Sequence, residues 1–343
     1  FSGLLFFAMQ RTAHATSQSP PQHAKTTQPS HTTHKHAPPI SRPQGSSTHP
    51  RPLMLWEAQG RTHRVYLLGS IHVANASLYP LPQTMQTAFR RAKTLVIEAQ
   101  TSGPVRQRIA QLTRTYGLYP PGQSLATQLS AKGWNRLKQY MQKNRLPISR
   151  LQRFRPWLLA LTLNMLELRK HGITGQYGLD KHFEQRAQGR KIPVQALETA
   201  EQQLKLFYNL SAKAQETYLL SSIDEQNSLH KDFQRLLASW KRGDTQALEK
   251  ILFRAYKDLK KHPELQGLYQ RIFTLRNRKM AALIQTRYLP RNNDTFIVVG
   301  AGHLVGQQSI VSILRKKGFS VRQLHRQNLR SNPPKTPPPK IRP

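Results

Sequence analysis

Two glycine-led turns carry the residues in this chain best placed for chemistry, Gly69-Ser70-Ile71-His72 and Gly300-Ala301-Gly302-His303. Each follows an apolar run of the kind that forms a buried strand, Val65-Tyr66-Leu67-Leu68 in the first and Thr295-Phe296-Ile297-Val298-Val299 in the second. Glycine opens backbone conformations closed to other residues. A histidine three positions on is therefore expected to project over the carboxyl edge of a sheet, where α/β proteins place their ligands. A third apolar run, Leu95-Val96-Ile97, ends in Glu98, and parallel strands that terminate together put its carboxylate on the same edge. His72, Glu98 and His303 then form a three-ligand set for a divalent ion such as zinc, manganese or cobalt, with positions left for water and substrate. An ion so held acidifies its water and polarises a carbonyl, which is what hydrolysis requires. The plainer reading makes each histidine a hydrogen-bonded loop residue and Glu98 a solvated strand end.

Hydrophobic patterning predicts the elements that must position these groups. Strands are expected at residues 52–56, 65–68, 94–98, 192–196, 295–299 and 320–324. A helix at 82–92 turns Met85, Ala88, Phe89 and Ala92 to the sheet. Residues 130–189 and 199–287 have helical apolar spacing, for example Leu204, Phe207 and Tyr208, or Ile272, Leu275, Lys279 and Ala282. The expected class is α/β, a mixed or parallel central sheet with a large helical insertion over its edge. Trp157 opens an apolar helix and is expected in the core or a pocket wall, while Arg278 and Lys279 read as a solvated face.

The chain has 53 Lys+Arg against 16 Asp+Glu, a net charge of +37, which implies attraction to polyanions. The basic residues are scattered, with no zinc-finger spacing, basic recognition helix or aromatic RNA-binding signature, so nucleic acid is not the expected partner. Anionic envelope polymers or a membrane surface suit such a surface better. Cysteine is absent, which excludes disulfides, thiolate catalysis and cysteine-ligated metals. The apolar run FSGLLFFAM at residues 1–9, followed by Ala13-His14-Ala15, has the form of a signal peptide and its cleavage site, so residues 1–15 are expected to direct export to the periplasm or beyond. No later apolar run reaches the roughly twenty residues a membrane span needs. Residues 16–50 read as a low-complexity linker, in which His31, His34 and His36 could capture a metal loosely or simply be solvated. Residues 51–327 then form the folded domain, and 328–343 a proline-rich basic tail.

Six motifs together resemble a known family. They are Leu67-Leu68-Gly69-Ser70-Ile71-His72-Val73, Leu95-Val96-Ile97-Glu98-Ala99, Tyr177-Gly178-Leu179-Asp180, Ala196-Leu197-Glu198-Thr199-Ala200-Glu201-Gln202, Arg276-Asn277 with Met280, and Val298-Val299-Gly300-Ala301-Gly302-His303-Leu304-Val305-Gly306. Their order and spacing resemble the TraB/GumN family and its YbaP-like bacterial members over roughly residues 53–324. The resemblance implies kinship with the Tiki metal-dependent proteases, and more distantly with erythromycin esterase and the haem-binding ChaN proteins. It implies an exported peptidase-like or amidase-like hydrolase acting on a peptide or amide, with His72, Glu98 and His303 as metal-site or catalytic residues. By the same resemblance Arg276 and Asn277 would meet an oxyanion or a substrate carboxylate, and Asp180 and Glu198 would orient the site or supply a base. Asp180 and Glu198 also read as structural residues beside helix starts. Where many bacterial members carry a further acid, Gln100 stands, which argues against a two-metal or dyad mechanism. A non-catalytic protein that sequesters a peptide or pheromone, or one that binds haem or metal, is the alternative.

Overall fold

A continuous apolar run is what a strand buried on both faces requires, and the strands that carry the chemistry are buried along their length. The computed structural model describes residues 51–60, 62–258 and 262–326. The expected signal segment, the linker with its three histidines and the basic tail lie outside these residues. The strands are β1 (Pro52–Gln59), β2 (Arg64–Ser70), β3 (Thr94–Ala99), β4 (Val194–Glu198), β5 (Thr295–Gly300) and β6 (Val321–His325), in the spatial order β4-β3-β5-β2-β1-β6. From β4 to β2 every neighbouring pair is parallel, while β1 runs antiparallel to both β2 and β6. The sheet is therefore mixed, and the fold is α/β.

Between β2 and β3 lies helix α1 (Gln83–Arg91), which buries Met85, Ala88 and Phe89 as its spacing predicts. The crossover skips one place in the sheet. Strand β5, arriving some two hundred residues later, fills it, and this insertion puts the second histidine turn between the first turn and Glu98. The intervening helices include α2 (Pro156–Lys170), α3 (Leu179–Gly189), α4 (Ala200–Tyr208), α5 (Ala212–Arg242), α6 (Thr245–Asp258) and α7 (Leu275–Leu283). Helix α2 is apolar around much of its circumference and correspondingly buried. Its Trp157 is wholly buried and donates its indole N–H to the carbonyl of Tyr116 at 3.1 Å. A second apolar core, containing Trp157, Leu159, Phe207 and Leu219, is distinct from the core of the sheet. No helix among the described residues is long and apolar enough to cross a membrane.

One patterning expectation fails. Leu275 and Ala282 face outward, with Leu275 47% exposed, while Arg278 and Lys279 are exposed as a solvated face should be. The inward face of α7 carries Arg276, Asn277, Met280 and Ala281 instead. Two polar side chains occupy that face because the site beneath supplies their partners, which apolar periodicity cannot register.

Candidate functional site

The register sets three strand ends level. Gly69 pairs with Val299, Ser70 with Gly300, and Ile97 with Val298. His303, Glu98 and His72 meet there, buried to 0%, 3% and 8% exposure. One carboxylate oxygen of Glu98 lies 3.8 Å from His72 Nε2, and the other lies 3.7 Å from His303 Nε2.

The glycines serve this meeting by their size. Neither Gly69 nor Gly300 has a positive φ, contrary to the conformational role expected of them. A Cβ on Gly300 would stand 2.8 Å from His72 Nε2 and 3.3 Å from Glu98 Oε2, so its bare Cα floors the space between those groups. Gly178 acts similarly, since a Cβ there would stand 2.1 Å from the His72 carbonyl oxygen. With Leu179 N–H donating to the Ile71 carbonyl at 3.2 Å, this close approach clasps the start of α3 to the first turn and delivers Asp180.

Each imidazole is held through its Nδ1. His72 Nδ1 is 2.8 Å from Asp180 Oδ2, which also accepts the Ser70 hydroxyl. His303 Nδ1 is 2.6 Å from Asn277 Oδ1. The Asn277 amide donates its Nδ2 to the Gln308 carbonyl at 2.8 Å, so its oxygen faces the ring and Nδ1 is the donor. Both Nε2 atoms are buried and lack a hydrogen-bond partner among the described residues. An orphaned buried polar atom costs about 1–3 kcal/mol, a cost that a ligand would remove.

Glu98 is saturated by comparison. Its Oε2 accepts the Gly300 N–H at 2.8 Å, and its Oε1 accepts Gln203 Nε2 at 2.8 Å and Arg276 Nη2. Arg276 also grips Glu198, with Nε at 2.9 and 3.0 Å and Nη2 at 2.8 Å, and donates Nη1 to the Ile272 carbonyl at 3.0 Å. These contacts give partners to the residues that the resemblance set around the site. The Arg276 fork is spent on two carboxylates and Asn277 on His303, so neither offers an open contact to an oxyanion or a substrate carboxylate. Glu198 orients Arg276 and touches neither imidazole, whereas Asp180 does orient His72.

Sequence reading passed over Ser70, Gln203 and Trp240. Trp240 Nε1 donates to the Gly69 carbonyl at 2.6 Å and anchors the first turn from α5. Gln203 had a legible signal: Thr199 and Gln202 form the capping box of α4, which fixes that helix's phase and points the next glutamine inward.

The charges are divided unequally. Burial alone would lower the His72 pKa, but Asp180, aided by Glu98, pushes it up to about 9. Burial lowers that of His303 to about 3; Glu98 opposes the shift, and Arg276 and His72 reinforce it. Burial alone would raise Glu98, but Arg276 and the two histidines hold it well below the usual carboxylate range. An unfolded histidine titrates near 6.5. Above that pH the unfolded chain sheds a proton that folded His72 keeps, so stability falls progressively up to about pH 9. Below it the unfolded chain gains a proton that His303 refuses, so stability also falls toward about pH 3. Metal-free protein is thus expected to be most stable near neutral pH in a melting series, with His72→Gln removing the alkaline decline.

The two imidazoles have the donor arrangement that metal-ligating histidines need. Metal-bound histidines typically have the second ring nitrogen tied to a carboxylate or carbonyl oxygen, and here both do while both Nε2 atoms stay unpartnered. The ligand set is not closed: among the described residues no group of three or more His, Asp and Glu side chains stands in place to hold an ion, and Arg276 already grips Glu98. A cavity of about 40 Å³ adjoins His72 and Gly300, walled by Leu236, Leu248 and Leu252 from α5 and α6. It has room for a few waters.

A sequence model of the TraB/PrgY/gumN family matches residues 54–323. "Uncharacterized protein YbaP" of Escherichia coli (strain K12) is 24% identical over 254 residues, 73% of this chain and 87% of that protein. Metalloprotease TIKI2 of Danio rerio is 25% identical over 306 residues, covering 75% of this chain and 57% of the fish protein. Metalloprotease TIKI1 of Danio rerio is 23% identical over 299 residues, covering 75% and 60%. No solved structure matches.

Proposed function

Because this chain belongs to the TraB/PrgY/gumN family, we propose that it is an exported, metal-dependent hydrolase of peptide or amide bonds, with His72, Glu98 and His303 holding the ion. One observation carries this reading: two buried imidazoles, each fixed through Nδ1, leave unpartnered Nε2 atoms facing opposite oxygens of one carboxylate across the bare Cα of Gly300. Its distant relatives named metalloproteases support it. When bound, a divalent ion supplies an acidified water and a polarised carbonyl.

The chain's own residues prepare for that chemistry. Asp180 and Asn277 fix the two rings, and fixing them in advance lowers the cost of assembling a ligand set. The Gly300 N–H, Gln203 and Arg276 keep Glu98 ionised and in place. Leu236, Leu248 and Leu252 exclude bulk water beside His72, which strengthens every electrostatic contact within. The saturation of Glu98 favours a second reading, in which the protein captures a peptide without cutting it.

Incubation with a casein-derived peptide mixture, followed by mass spectrometry, separates the two. The hydrolase is expected to generate new peptide termini that cease with chelator and return with zinc, manganese or cobalt. Peptides retained intact, whatever the metal, would establish capture and refute hydrolysis.

A further inference from the structure

A cavity of about 590 Å³ lies on the far side of Arg276 and Glu198 from the site. It is one side chain away from Glu98, because Arg276 lines it and binds that carboxylate. Its charge is one-sided. Lys205, Arg271 and Lys279 line it, and the sole carboxylate in its lining, Glu198, is consumed by Arg276. Arg271 donates its Nε to the Gly267 carbonyl at 3.1 Å, and among the described residues its terminal nitrogens have no acceptor. Lys205 lies 3.5 Å from Glu201, an exposed pair of little strength. The exposed Leu275 stands in the same lining, giving apolar contact beside the cations.

We propose that this pocket binds a carboxylate-rich peptide segment, with Lys205, Arg271 and Lys279 meeting the acids and Leu275 packing against the intervening side chains. The inference deepens the hydrolase reading, on which it rests only in treating that segment as part of the substrate. Apart from the exposed Lys205–Glu201 pair, the cations of this lining have no carboxylate of the lining left to meet, since Glu198 is held by Arg276. The pocket's lining meets the site through Arg276, which binds Glu98, and a segment held there can contribute binding energy that positions the rest of a substrate.

The test uses two fluorescein-labelled peptides of alternating leucine and glutamate or leucine and glutamine, followed by anisotropy at about 0.1 M salt, near one Debye length of 10 Å. Wild-type protein is expected to prefer the glutamate peptide by at least about tenfold, the scale of one charge-assisted contact. The triple variant Lys205→Gln/Arg271→Gln/Lys279→Gln should lose the preference. A control of equal charge at exposed positions elsewhere, Lys132→Gln/Lys143→Gln/Lys316→Gln, should keep it. Equal losses in the two triple variants would assign the preference to the overall charge and overturn the proposal, as would equal binding of both peptides by the wild type. Binding and cutting fail separately here: discrimination without cleavage keeps the pocket and removes the hydrolase, and cleavage without discrimination does the reverse.

Discussion

Arg276→Met is expected to destabilise the protein by about 3–5 kcal/mol, the usual consequence of removing one partner from a buried ion network. The guanidinium joins Glu98, on a buried strand, and Glu198, half-buried at the end of β4, and a methionine of similar volume leaves two carboxylates near each other without a cation. At roughly 2–4 °C per kcal/mol for a domain of this size, the melting midpoint should fall by about 10 °C. Adding Glu198→Gln to Arg276→Met should restore part of the loss, because it removes one of the stranded charges. Arg276→Lys keeps the charge but not the fork that reaches two acids at once, and should fall between wild type and Arg276→Met. A variant that melts like the wild type yet no longer processes substrate would reverse the assignment and make Arg276 a substrate-binding group.

The second large effect is expected at His303. Its ring is wholly buried, and its Nε2 has no hydrogen-bond partner among the described residues, so His303→Ala removes a nitrogen that the fold leaves unsatisfied. Turnover and bound metal should disappear together while the circular dichroism spectrum stays native. Asn277→Leu should act more gently, because it releases the ring without deleting it. Weakening of metal affinity by about 10–100-fold is the scale for losing such an orienting contact. If His303→Ala retained both metal and activity, the imidazole would be a packing residue and the reacting groups would lie elsewhere.

The parts of this site written locally were legible in the sequence. Continuous apolar runs marked β2, β3 and β5, and the residues just past them, His72, Glu98 and His303, meet as strand-end residues of a parallel sheet should. What the sequence concealed was partnership across long separations. Arg276 stood out as a cation on a helix patterned for burial, but nothing local showed that Glu98, 178 residues away, and Glu198 would both claim it. Asn277 was read as a substrate contact for the same reason, since its bond to His303 exists only once α7 lies over the second turn. The stripe through Ile272, Leu275 and Lys279 misled because hydrophobic spacing finds apolar faces, and the inward face of α7 is partly polar. The glycines were located correctly but for a different reason: Gly300 is needed for the room above its Cα, a constraint set by side chains from two other strands.

The central claim is that the two unpartnered imidazole nitrogens and Glu98 are a divalent-metal site, and calorimetric titration of zinc into chelator-treated protein tests it most directly. Run at pH 7.5 in two buffers of different ionisation heat, the titration should show one ion per chain. It should also show release of about one proton, because His72 binds a proton up to about pH 9 in the metal-free protein and must lose it to become a ligand. The same titration of His72→Ala should show neither the tight ion nor the proton. Absence of stoichiometric binding by the wild type, or undiminished binding by His72→Ala, would contradict the account.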